Sequence, residues 1–172
     1  MSTLTNSKIT LSLLAVVAIA GGAFLFSPGA DAVNSAGARQ TENVDLVVYK
    51  SEFCGCCQGW VEHLQGTGLE VSVVTVDDTT AARKSLGIPN KLGSCHSAKV
   101  GKYFVEGHVP ADLVQKLMAE KPADILGIAA PGMPPGSPGM PSENPAEFDV
   151  IALHTDGSTS VYATRQGTAS GK

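Results

Sequence analysis

Charge is scarce in this sequence, and nowhere is it concentrated. Only 16% of the 172 residues are charged, 12 Lys or Arg against 16 Asp or Glu, for a net charge of −4. No basic cluster occurs, which argues against nucleic acid as a partner, since a polyanion needs grouped cations. There is no second C-x-x-C and no C-x-x-C matched with paired histidines, so the donors fit a structural zinc site poorly. A twin-arginine pair is missing as well, which leaves general secretion as the default route for anything exported.

The longest apolar run lies at the start. Lys8 precedes Ile9 to Phe26, 18 residues interrupted by Thr10, Ser12 and Gly21-Gly22, and Ala30-Asp31-Ala32 supplies a small-x-small cleavage pattern. Residues 1–32 are therefore expected to be a signal peptide. The alternative is a retained membrane anchor, because the run approaches the length of a spanning helix, although its glycines weaken one. Under either reading the rest of the chain is exported, and the expected location is the periplasm, with the membrane a partner only if the segment is retained. Residues 33–43 are small and polar and read as a tether. The 140 residues from Val33 onward keep the net charge of −4 and suffice for one domain with a real core.

Of the four cysteines, three fall within four positions, in Phe53-Cys54-Gly55-Cys56-Cys57; the fourth is Cys95. An exported protein turns paired thiols into disulfides unless a metal or a reductase holds them. Cys56 and Cys57 are adjacent, and a bridge between neighbours is strained, so the cluster is not laid out as a passive staple.

The pattern around the cysteines predicts their setting. Val44 to Tyr49 reads as a strand, and Trp60, Val61 and Leu64 mark a helix that begins near Cys57 and ends at Gly66 or Gly68. Leu69 to Val76 alternates as a second strand. Asp77-Asp78-Thr79 caps a short helix running to Leu86. Gly101-Lys102 reads as a two-residue hairpin turn, and Pro110 opens a helix with Leu113, Val114, Leu117 and Met118 on its apolar face. Pro122 to Pro145 holds seven of the ten prolines and reads as neither helix nor regular sheet; it contains the repeat Pro131-Gly132-Met133-Pro134 and Pro138-Gly139-Met140-Pro141. Two strands around Asp156-Gly157 form a last hairpin, and residues 164–172 are expected to fray.

This order predicts an α/β fold: a thioredoxin-like domain over residues 44–163 with a Pro/Gly-rich loop and a C-terminal β-hairpin addition. A strand feeds a helix whose N-terminus carries Cys54-Gly55-Cys56-Cys57, a C-x-x-C if Cys54 and Cys57 are the pair. Thioredoxins carry a proline before the third strand, facing the active site; here Cys95 stands near that position. That departure weakens ordinary dithiol exchange and points Cys95 at the cluster.

Thiols at a helix N-terminus are favoured as thiolates, which serve either redox attack or metal ligation. Cys56 and Cys95 exceed what a redox pair needs. The other candidates, His96, His108, Met133 and Met140, are metal-ligand types, and thioethers favour monovalent copper over zinc. With four sulfurs, three from one turn, thiolates bridging several cuprous ions is one arrangement. The blander alternatives are a core or loop cysteine for Cys95, a local hydrogen bond for His96, a solvated loop histidine for His108, and gap-filling for the two methionines. His63 reads as surface, His154 as a strand-end residue, and Trp60 and Phe53 as packing residues that could also shield the site.

At these residues the chain resembles the CopG-type exported copper-resistance proteins, long catalogued as a metal-binding domain of unknown function. The likeness is carried by Tyr49-Lys50-Ser51, Cys54-Gly55-Cys56-Cys57, Trp60-Val61, Ser94-Cys95-His96, Val105 to Pro110, Pro131 to Pro134 and Gly136 to Met140. It implies a thioredoxin-like periplasmic domain that handles copper, with clustered cysteines binding Cu(I). The expected ligand set is Cys54, Cys56, Cys57 and Cys95, with His96, His108, Met133 and Met140 completing or covering the site, and other periplasmic copper-handling proteins as partners. The alternative is a thiol–disulfide or copper redox oxidoreductase using Cys54 and Cys57; a zinc-stapled exported domain stands third.

Overall fold

The computed structural model describes residues 46–169; the expected signal peptide and tether lie outside them. Eleven elements follow in order: β1 (Leu46–Lys50), α1 (Gly55–Gln65), β2 (Val71–Thr75), α2 (Thr79–Ser85), a short 3₁₀ helix (Asn90–Leu92), β3 (Ser97–Val100), β4 (Tyr103–Gly107), α3 (Ala111–Glu120), β5 (Ile125–Ala130), β6 (Glu147–His154) and β7 (Thr159–Gln166). The strands form one mixed sheet in the order β2-β1-β3-β4-β5-β6-β7. β1 and β2 are parallel across the α1 crossover, β3 pairs antiparallel with β1 and with β4, and β4 and β5 are parallel across α3. The fold is thus α/β, and its first seven named strands and helices, through α3, keep the strand–helix–strand–helix–hairpin–helix order expected from the sequence.

Each sheet face has its own core. Leu46, Val48, Ala98, Val100, Val105 and Ile128 point toward α1 and α3 and meet Trp60, Val61, Leu64, Leu113, Val114 and Leu117. On the other face Phe104, Ala129 and Leu153 pack with Ile88 and Leu92 from the segment after α2. α2 opens as predicted, the Asp78 carboxylate accepting from the Thr80 N–H at 2.7 Å. The Gly101-Lys102 turn joins β3 to β4, with Gly101 at φ +57° as a two-residue hairpin of this kind requires.

Three expectations are corrected. The proline-rich stretch contains a strand, β5, lying between β4 and β6 in the sheet. Ile125 to Ala130 holds five apolar residues around Gly127, as befits a strand covered on both faces from Gly127 onward, and prolines only bound it. Secondly, β7 runs on to Gln166, and the Thr168 N–H still bonds to the Gly136 carbonyl at 2.8 Å, so the chain is tied beyond Ala163. Thirdly, Phe53 does not pack the domain: it is 92% exposed, while Trp60 is fully buried. Among the described residues, no helix is long and apolar enough to cross a membrane.

Candidate metal centre

β1 delivers the chain to a tight turn in which Cys54 becomes the N-cap residue of α1. Cys56 and Cys57 then occupy the first helical turn, among N–H groups that have no intrahelical partner. No acidic residue lies in that turn, so the positive end of the helix faces the sulfurs alone. Cys54 and Cys57 form a disulfide with Cα atoms 5.3 Å apart. Cys56 is free, its Sγ 3.4 Å from that of Cys54 and 3.7 Å from that of Cys95. The Sγ of Cys57 lies 3.7 Å from the Cys95 carbonyl oxygen. All four sulfurs fall within 4.8 Å of one another.

Cys95 reaches them from the loop before β3, and a buried polar clamp fixes that loop. Glu106, fully buried on β4, accepts from the Ser94 N–H at 2.6 Å, from the Ser97 hydroxyl at 2.5 Å and from Arg83 Nε at 2.8 Å. Arg83 also donates to the Ser94 carbonyl at 2.5 Å. The Ser94 hydroxyl donates to the Gly132 carbonyl, and the Gly132 N–H bonds to the Gly93 carbonyl at 2.9 Å, so the proline-rich loop is fastened to the same segment.

Two imidazoles complete the cluster. His108 follows β4, with Nε2 3.1 Å from Cys95 Sγ and Nδ1 2.7 Å from the Pro138 carbonyl oxygen. That carbonyl can only accept, so Nδ1 carries the proton and the Nε2 lone pair faces the thiol. A metal-binding histidine is commonly oriented in this way. His96 Nδ1 lies 3.3 Å from the same sulfur, while its Nε2 is buried without a hydrogen-bond partner. The His96 ring lies 4.5 Å from that of Trp60 and meets His108 edge-on at 4.9 Å. Trp60 is anchored in turn through Nε1 to the Val109 carbonyl at 2.7 Å.

Burial sets the protonation of these groups. It pushes the Cys95 thiol up to about 12, the neighbouring Cys56 adding to the effect. It holds His96 down at about 3, helped by His108 and opposed by the Gly107 backbone. His108 is lowered by burial too, the Pro138 bond working against it. Both imidazoles are therefore neutral donors at neutral pH, and Cys95 must surrender a proton to any metal it binds.

The structure brings together Cys54, Cys56, Cys57, Cys95, His96 and His108. It does not bring Met133 inside: that side chain is 55% exposed. Met140 is partly buried, and its neighbour Gly139 packs directly on the helix start. A Cβ on Gly139, at φ +80°, would fall 2.6 Å from the Trp60 nitrogen and against the Cys56 carbonyl, so only glycine lets the second Pro-Gly-Met segment sit there. His63 stands apart, its Nε2 accepting from the Ala111 N–H at 3.1 Å; His154 lies between Asp124 and Ser160. Sequence reasoning missed Arg83 and Glu106. The available signal was one acidic residue inside the apolar strand Tyr103-Phe104-Val105-Glu106-Gly107, between two site motifs.

Taken together, the fold and the site define a small α/β protein with a sulfur-rich, histidine-supported candidate metal centre built on a helix N-terminus. Comparison with known proteins agrees. The profile of a family described as "Protein of unknown function, DUF411" matches residues 92–140. Two solved structures of copper resistance protein CopG, forms 2 and 1, are each 39% identical to this chain, with TM-scores of 0.67 and 0.66. The matches cover 71% and 72% of this chain and 98% of each relative. A comparison with curated proteins gives no significant match. The chain belongs to the CopG copper-resistance family.

Proposed function

We propose that this is a periplasmic copper-binding protein of copper resistance, holding cuprous ions through Cys54, Cys56, Cys57 and Cys95. The observation that carries the reading is the convergence of four sulfurs from two distant segments within 4.8 Å. Thiolates select a soft monovalent ion, and sulfurs so close favour bridging several ions over binding one each. His108, with its proton fixed on Nδ1, is the imidazole best prepared to join; His96 supports it from the buried side. Met140 covers the site from the loop, and Met133 offers a thioether at its solvent edge. Full loading requires that the Cys54–Cys57 disulfide first take up two electrons and two protons. Other periplasmic copper-handling proteins are the expected sources and recipients of the ions.

The test is anaerobic titration of the reduced protein with cuprous ion against a chromophoric chelator. More than one tightly held ion per chain is expected, with tight binding abolished in a Cys56→Ser/Cys95→Ser variant. Unchanged binding in that variant would refute the reading.

A second reading has its own support in the half-buried Cys54, disulfide-bonded to Cys57 at the helix start. That is the position of an attacking thiol in a thiol–disulfide or copper redox oxidoreductase. Catalysed disulfide reduction, or catalysed change of copper oxidation state, would support it; inertness in both assays would remove it.

A further inference from the structure

The disulfide raises a question of its own, because it consumes only part of the donor set. With Cys54 and Cys57 joined, two sulfurs are lost to a metal. Yet in that state Cys95 Sγ still has His96 Nδ1 at 3.3 Å and His108 Nε2 at 3.1 Å, and each of the three residues offers a donor atom within 4.8 Å of the others. We infer that the disulfide-bonded protein holds a second kind of metal site, in which Cys95, His96 and His108 bind one borderline divalent ion such as zinc.

The geometry suits that class of ion. Ligands at about 2.3 Å for sulfur and about 2.0–2.1 Å for nitrogen around a tetrahedral ion lie roughly 3.5 Å apart. The sulfur-to-nitrogen separations of 3.3 Å to His96 and 3.1 Å to His108 need only small outward shifts to admit one. The chemistry agrees as well. One thiolate with two imidazoles is a borderline donor set, whereas the four-sulfur set is soft. His108 is already oriented by Pro138, and His96 is held against Trp60, so neither ring has to be ordered on binding.

The fourth tetrahedral position falls outside this triad. Cys56 Sγ, 3.7 Å from Cys95 Sγ, is the nearest free thiol to fill it, and water is the alternative. The two sites share Cys95 and so exclude each other. The state of the Cys54–Cys57 pair then selects the ion: open, it completes a soft sulfur nest; closed, it leaves a mixed site for a divalent cation.

This inference extends the copper reading, and the experiment separates the two. Oxidised protein, with one disulfide confirmed by mass and two free thiols counted, is titrated with cobalt(II) as a spectroscopic stand-in and then with zinc as competitor. One equivalent is expected, with the intense visible bands of a tetrahedral site, a thiolate charge-transfer band, and displacement by zinc. Cys95→Ser and His108→Gln should each weaken binding at least tenfold; the Gln amide keeps a donor for Pro138, and circular dichroism checks each fold. Cys54→Ser/Cys57→Ser should bind cobalt as the oxidised parent does while losing multi-ion cuprous binding. Octahedral cobalt spectra, no saturable binding, or binding indifferent to His108→Gln in a folded variant would overturn the inference. A cobalt site in protein that fails to take up cuprous ion would instead sink the copper reading alone.

Discussion

Arg83 and Glu106 meet in an ion pair of 2.8 Å beneath the loop that carries Cys95, the carboxylate fully shielded from solvent. The pair belongs to the site as much as to the core, because the same carboxylate holds Ser94 and Ser97 on either side of Cys95 and His96. Removing one partner of a buried pair leaves the other desolvated and uncompensated. Glu106→Ala should therefore cost about 3 kcal/mol of stability, read from the urea midpoint. It should also lower cuprous affinity several-fold in the fraction that folds. A variant with unchanged stability and unchanged affinity would show that the clamp positions nothing.

Gly139 and Gly132 make a matched pair for a second test. Both have positive φ, +80° and +71°, so alanine strains the backbone at either. At Gly139 the new Cβ also collides with the start of α1, whereas at Gly132 nothing lies within 4 Å. Gly139→Ala should lift the loop, withdraw Pro138 from His108 and weaken metal binding at least tenfold. Gly132→Ala should show the backbone cost alone, about 1 kcal/mol. Equal effects on metal binding would contradict the packing account.

The single tryptophan supplies a reporter. Trp60 is buried, stacked near His96, and two residues beyond Gln58 in the helix that begins with the cysteines. Its emission should change on cuprous loading and saturate at the same ion-to-protein ratio as the chelator assay. Emission indifferent to loading would place the copper elsewhere.

The histidines make the metal-free protein sensitive to acid. His96 is held at about 3 against an ordinary 6.5, and His108 is lowered in the same direction, both chiefly by burial. Below pH 6.5 the unfolded chain takes up protons that the folded protein refuses. Stability is therefore full above that pH and is lost as pH falls toward 3. The urea midpoint should drop by several kcal/mol in free-energy terms between pH 7 and pH 4, with a clearly smaller drop in His96→Asn. At the other end, Cys95 retains its proton up to about 12 against an ordinary 9, so the metal-free fold loses stability as pH rises from 9 toward 12.

Local signals in the sequence were enough for the strand–turn–helix that carries three cysteines, the Gly101-Lys102 hairpin and the Pro110 helix start. Each of these is set by residues within a few positions of one another. What escaped depends on distant partners or on direction. Arg83 lies on α2 and Glu106 on β4, and nothing local to either announces the other. Phe53 stands in a turn, where no periodicity says whether a ring faces core or solvent. β5 was hidden because prolines on both sides outweighed the five apolar residues and one glycine between them. Among the candidate ligands, the sulfurs and the two histidines were legible as chemistry, since such residue types rarely gather without purpose. Met133 was not legible as exposed, because a Pro-Gly loop carries no pattern that assigns a face.

The loop between β5 and β6 has one more consequence. The N–H groups of Gly132, Gly136, Ser137, Met140 and Ala146 all find carbonyl partners, on Gly93, Met140, Pro134, Ser137 and Pro135, and the Gly167 N–H closes onto Ala146. A segment without regular secondary structure is thus stitched mainly to itself, and its hydrogen bonds meet the candidate metal centre at two points, Gly132 on Gly93 and the Pro138 carbonyl on His108. Its amides should exchange with deuterium far more slowly than those of an ordinary surface loop. How fast an ion passes beneath it would then follow the rate at which those stitches open, leaving the rest of the sheet undisturbed.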